Sequence, residues 1–121
     1  MAQEIYQLYV RLKKISPRIW RRILVSSDTS IADLHYYIQI IMGWEGIHLH
    51  QFIIRGKSYG IYYAGGMGFS DDPEEIYLKD FEFHLNEKFM YQYDFIANWE
   101  HEIRVEKLLS AEPKKLYPRC I

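Results

Sequence analysis

Two histidines placed two residues apart, His48 and His50, are the first feature of this chain that suggests chemistry. Alternate side chains of an extended strand share a side. Both imidazoles are therefore expected on one side of a strand running from His48 to Arg55, together with Phe52 and Ile54. An open, catalytic metal site needs three protein ligands and one free position. His101 is the candidate third ligand, for a divalent metal such as zinc, and a metal-dependent hydrolase or nuclease would use such a set. The competing reading is that these rings pack and hydrogen-bond to backbone and to some of the 11 tyrosines. His35, further upstream, is expected at the surface or half buried, with no role. Asp94 is the acid near the tip of the hairpin that carries His101, and it is expected to point away from that ring. No Ser/His/Asp or Cys/His set with local signature context is present. Cys120, one residue from the end, has little chain around it to lower its pKa.

A second set suggests recognition instead of catalysis. Trp20 lies among Arg18, Arg21 and Arg22, an aromatic with basic neighbours such as a stacking surface requires. With Trp44 and the His48/His50 junction, these residues form the expected partner-binding surface, for a protein or a nucleic acid. The alternative is that Trp20 packs while the arginines stay solvated.

Net charge argues against strong general attraction to nucleic acid or membrane, since the total is −1. The distribution is uneven. Residues 1–27 carry six basic side chains against Glu4 alone, residues 28–112 carry 15 acids against six bases, and the last nine residues return three basic groups. The favoured explanation is that basic N-terminal strands sit beside acidic neighbours and are neutralised within the fold. With 121 residues and 20 aromatic side chains, one well-filled core is expected without disulfide or metal staples. A single cysteine, no signal pattern and no long apolar run point to a cytoplasmic protein with no membrane partner.

These side chains must be positioned by a small set of elements. Alternation over Ile5–Lys13 predicts a half-buried strand, with Tyr6, Leu8, Val10 and Leu12 on one side. A second strand, Arg18–Val25, follows the break at Pro17. Its pattern is blurred because Arg21 shares a parity with Ile19, Ile23 and Val25, which predicts a bulge or an edge position. Ser30 followed by Asp33 resembles a capping box. Ile31, Leu34, Tyr37, Ile38 and Ile41 then mark one helix face over about residues 30–43, ended by Gly43. The strand from His48 turns at Gly56-Lys57 into a short return strand around Tyr59. Gly60–Glu75 reads as a surface loop without the context of a phosphate-binding loop, and Ile76–Leu85 reads equally as a short helix or a strand. Residues 89–105 predict a hairpin. A three-residue loop, Ile96-Ala97-Asn98, would pair Tyr93 with His101 and Tyr91 with Ile103, keeping all apolar positions on one face.

Several segments together resemble a known family. Ile15-Ser16-Pro17-Arg18-Ile19-Trp20-Arg21-Arg22, Ala32-Asp33-Leu34-His35, Met42-Gly43-Trp44 with His48-Leu49-His50-Gln51-Phe52, and Tyr91-Gln92-Tyr93-Asp94-Phe95 with Trp99-Glu100-His101 occur in this order. They are similar to the Ri-plasmid ORF-three-like family, which includes passengers of insertion elements. The resemblance runs from about Ile5 to Cys120. It implies an α+β fold with an antiparallel sheet and a prokaryotic or mobile-element origin, and it implies no established activity. Two departures stand out: Ile96-Ala97 replaces the family's Gly-Asp after Tyr-Asp-Phe, and the chain is expected to lack a C-terminal extension.

The sequence thus predicts one α+β domain over residues 1–121, with an antiparallel sheet of about five to six strands and one main helix. The reading leans to a binding module without catalysis or cofactor. The metal-dependent enzyme is the alternative.

Overall fold

The computed structural model describes residues 4–14, 19–44, 50–59, 75–93, 99–112 and 117–121. Its elements are β1 (Glu4–Leu12), β2 (Trp20–Ser26), α1 (Ile31–Met42), β3 (His50–Ile54), β4 (Lys57–Tyr59), a 3-10 turn (Leu78–Phe81), β5 (Lys88–Tyr93), β6 (Trp99–Ser110) and β7 (Arg119–Cys120). The strands form one seven-stranded sheet in the order β4-β3-β5-β6-β1-β2-β7, with antiparallel neighbours throughout. The α+β class therefore holds, while the strand number exceeds the five to six expected. The strand missed is β7, in which Cys120 and Arg119 pair with Ile23 and Leu24; two residues are too few to show a period.

Local chemistry explains why α1 forms where it does. The Ser30 hydroxyl accepts a hydrogen bond from the Asp33 backbone N–H at 3.1 Å, satisfying one of the N–H groups that a helix start leaves open. At the other end Gly43 takes a left-handed φ of 77°, which glycine adopts without a Cβ clash. The Trp44 N–H then closes onto the Gln39 carbonyl at 2.8 Å. Ile31, Leu34 and Ile38 are fully buried, in one cluster with Leu8, Val10, Val25, Phe52 and Tyr91.

The blurred alternation of β2 has a specific cause. Arg21 pairs with Val10 and so projects to the α1 side of the sheet. There its Nε donates to the Ile41 carbonyl at 3.2 Å, a cation at a helix C-terminus, where the carbonyls are otherwise open. The register shift of this region falls instead where β1 pairs with β6: Gln7 lies opposite Lys107 and Leu8 opposite Val105, so the extra residue is Glu106 of β6. Residues 76–85 combine both readings: Tyr77 makes an isolated bridge to Ser30, and Leu78–Phe81 form the 3-10 turn.

The hairpin of β5 and β6 differs in register from the sequence expectation. Tyr93 pairs with Trp99, Tyr91 with His101 and Phe89 with Ile103. This is a slip of two positions from a three-residue loop, and residues 94–98 lie between the strands. A slip of two leaves every side chain on the face it already occupied. Hydrophobic alternation is blind to it, yet it moves His101 from beside Tyr93 to beside Tyr91. The loop expected over Gly60–Glu75 and the hairpin tip with Asp94, Ile96 and Ala97 lie outside the described residues, except for Glu75.

Candidate functional site

Between α1 and strands β3, β5 and β6 the core is polar as well as aromatic. His35 and Gln39 descend from α1, His50 rises from β3, Tyr91 from β5 and His101 from β6. His35, His50, Tyr91 and His101 are 0% exposed and Gln39 is 4% exposed. Tyr91 is the hub. Its hydroxyl lies 2.7 Å from His35 Nδ1 and accepts from Gln39 Nε2 at 2.7 Å. The rings of His35 and His50 lie flat on each other, with centroids 3.4 Å apart and planes 5° from parallel. Both flank the Tyr91 ring, at 5.8 and 5.9 Å, and His101 lies 5.3 Å from it. Trp44, half buried after α1, meets His101 edge-on at 6.4 Å and also approaches Tyr93 and Trp99.

Hydrogen bonding fixes the state of one ring. His101 Nδ1 faces the carbonyl oxygens of Tyr91 and Trp99 at 3.2 and 3.1 Å. Carbonyls only accept, so Nδ1 carries the proton that it donates there. Among the described residues, several other buried polar atoms have no hydrogen-bond partner: His35 Nε2, both nitrogens of His50, His101 Nε2, Gln39 Oε1 and Trp44 Nε1. Burial disfavours the charged form of an imidazole. It lowers His35 to about 4. Burial also lowers His50, to about 3, with the neighbouring His35 adding to the effect. His101 is lowered too, by burial, against the opposing pull of its two carbonyl partners. At neutral pH these are neutral rings, held as packing and hydrogen-bonding groups.

The structure separates the residues that the sequence grouped. Of the expected metal set, His48 lies outside the described residues. His50 is fully buried in the stack on His35, and His101 is bound to backbone through one nitrogen. Among the described residues, no group of three or more His, Cys, Asp or Glu side chains could hold a metal ion. Of the expected partner-binding set, Arg18 and His48 lie outside the described residues. Arg21 faces α1, Trp44 packs beside His101, and His50 is fully buried. Trp20 and Arg22 alone share the opposite face of the sheet. The sequence reading of His35 as a surface or half-buried residue is also corrected: it is completely buried. Its signal was present, since Ile31, Leu34, His35, Ile38 and Gln39 follow the full i, i+3, i+4, i+7, i+8 stripe of a buried helix face.

That opposite face is covered by no described element and is built from paired charges. Arg22 makes a two-pronged contact with Glu106, at 2.6 and 3.1 Å. Arg104 joins the same carboxylate at 3.3 Å, and Arg11 meets Glu102 at 2.8 Å. Lys13 and Lys88 pair with Glu100 and Glu102. The basic N-terminal strands are thus neutralised by β6, as the charge distribution suggested. Above the ion pairs, Trp20 stacks on Tyr9 at 5.5 Å. Arg22 lies 5.2 Å from the Trp20 ring, and Arg22 and Arg104 lie 5.4 and 5.3 Å from the Tyr9 ring. Trp20 keeps 42% of its surface exposed.

Comparison with known proteins agrees with this architecture. The family model described as plasmid pRiA4b ORF-3-like protein matches residues 4–121. A protein from Sinorhizobium fredii, designated uncharacterized protein y4hQ, is 30% identical over 112 residues, which is 92% of this chain and 58% of that protein. The chain therefore spans little more than half the length of that relative. The crystal structure of a protein of unknown function, MM3350 from Methanosarcina mazei, superposes with a TM-score of 0.86 at 35% identity, covering 100% of this chain and 70% of the other. Among the described residues, no helix is long and apolar enough to cross a membrane. The chain belongs to the plasmid pRiA4b ORF-3-like family.

Proposed function

We propose that this member of the plasmid pRiA4b ORF-3-like family is a binding module that recognises a protein partner through the uncovered face of its sheet, without catalysis. The observation that carries this reading is the Tyr9–Trp20–Arg22–Arg104 assembly, with Trp20 left 42% exposed above it. Tyr, Trp and Arg are the residues most enriched where binding energy concentrates in protein interfaces. Here the ion pairs to Glu106 hold both arginines under the aromatic rings, which reduces the ordering cost of docking.

A protein partner suits this face better than a nucleic acid does. Phosphate contacts require free cationic groups, whose number sets the salt dependence of binding. The arginines of β2 are engaged, Arg22 by Glu106 and Arg21 by a helix carbonyl. A face of alternating charge is instead complementary to another mixed protein surface.

The test is affinity capture with the wild-type chain and with Trp20→Ala, followed by titration of the captured polypeptide against both. Binding that weakens at least tenfold in the variant supports the reading. Equal binding by both chains overturns the assignment of this face. A gel shift with DNA or RNA at low salt that disappears at high salt and in Trp20→Ala would replace the protein partner with a nucleic acid.

A further inference from the structure

The buried histidine pair contributes nothing to the exposed face, and its arrangement calls for a separate explanation. His35 belongs to the helix and His50 to the first strand after it. Their rings meet face to face at 3.4 Å, so the contact joins the two elements that residues 43–49 connect. Two stacked neutral rings attract each other through dispersion. Two imidazolium rings at that distance repel, in a site where little water screens them.

We propose that the His35–His50 stack is an acid-sensitive latch: α1 stays docked on β3 and β5 only while both rings are neutral. Among the described residues, no carboxylate acts on either ring to compensate a proton. From α1, His35 meets Tyr36 at 5.0 Å, and Gln39, a neutral amide, donates to Tyr91 through Nε2 while its Oε1 is unpaired among the described residues. From β3, His50 meets Phe52 edge-on at 6.3 Å. From β5 both rings meet Tyr91, and from β6 His101 reaches that tyrosine. Asp33, the acid in the first turn of α1, is exposed. Among the described residues, the one charge acting on His50 is that of His35, and it disfavours a second proton. The orphan nitrogens of both rings sit within this enclosure.

The direction of the effect follows from linkage. Both rings hold protons less readily folded than unfolded, where the ordinary value is about 6.5. Docking is therefore strongest above that pH and weakens as pH falls below it, because the released state takes up protons that the docked state refuses. At pH 5.5 each released imidazole favours opening by about tenfold relative to pH 7.5, hence on the order of a hundredfold for the pair.

Amide hydrogen exchange at pH 7.5 and 5.5, corrected for intrinsic chemistry, reads this directly in the wild type and in His50→Phe, which keeps an aromatic ring against His35. In the wild type, opening of α1 is expected to rise on the order of a hundredfold, while the β6 amides around Ile103 and Val105 remain better protected than α1. In His50→Phe the rise is expected to shrink to about tenfold. An undiminished rise in the variant, no rise in the wild type, or one common exchange rate for α1 and β6 at pH 5.5 overturns the latch. If His50→Phe does not fold, nitrogen NMR of the wild-type imidazoles decides. Rings that stay neutral at pH 5.5 while α1 is docked support the latch, and a ring that titrates near 6.5 without undocking α1 overturns it.

Discussion

The two faces of the sheet solve the same problem, polar side chains on a strand, in opposite ways. Beneath α1 the enclosed polar groups are His35, Gln39, His50, Tyr91 and His101, while Arg21 reaches the end of α1 from an exposed position. The enclosed groups are buried, and the three histidines are neutral at neutral pH. On the other side the polar groups are Arg11, Arg22, Glu102, Arg104 and Glu106, and each is charged and paired. The difference follows from water. Burying an unpaired charge is costly enough that a group gives up its proton instead. At a half-exposed surface, solvent lowers that cost and a pair of opposite charges persists. One face therefore sets the interior's dependence on pH, while the other offers a charge mosaic to a partner.

The sharpest way to break this contrast is to place the same charge on adjacent residues of β3. His50→Asp would put a carboxylate where the ring is 0% exposed. It is expected to cost several kcal/mol of stability or to prevent folding. Gln51→Asp, one residue later and facing the other way, is expected to cost about 1 kcal/mol, through loss of the 2.7 Å hydrogen bond to Gln92. Urea unfolding of the two variants checks the difference, and equal losses would dissolve the distinction between the faces.

The next effect in size is Tyr91→Phe. It keeps the ring and removes the hydroxyl that engages both His35 and Gln39. Two buried polar groups then lose their partner, with an expected cost of about 1–3 kcal/mol by urea or thermal unfolding. The smallest effect lies on the open face. A double-mutant cycle on Arg11 and Glu102, which meet at 2.8 Å with side chains 28% and 22% exposed, is expected to give a coupling of about 0.2–1 kcal/mol. That coupling should shrink in 1 M salt, whereas the Tyr91→Phe loss should not.

The fold was legible where a local rule had one solution. Ser30 and Gly43 bounded the helix correctly because capping chemistry leaves few alternatives. His50, Phe52 and Ile54 share the buried side of β3, as period two requires. Neutralisation of the basic strands was also readable, from the opposite charges of β1 and β6. Registry was not: Tyr91 opposite His101 and Tyr91 opposite Ile103 satisfy the same alternation, and the choice depends on the hairpin connection. The candidate partner-binding residues divide between the two faces for a related reason. Arg21 belongs to the helix side and Trp20 and Arg22 to the other, so neighbours in sequence became strangers in space. His35 lies in a stripe that is visible in the sequence, but a polar residue adds nothing to an apolar period, so the period alone does not reveal its burial.

The central claim is that the covered face admits only neutral imidazoles. Isotope-edited NMR of the histidine ring nitrogens in the folded wild-type chain, followed from pH 8 towards pH 5.5, tests it most directly. His35 and His50 are expected to keep the shifts of neutral rings for as long as α1 remains docked, and His101 to keep its proton on Nδ1 at neutral pH. Titration of His35 or His50 near 6.5 in the docked state would contradict it.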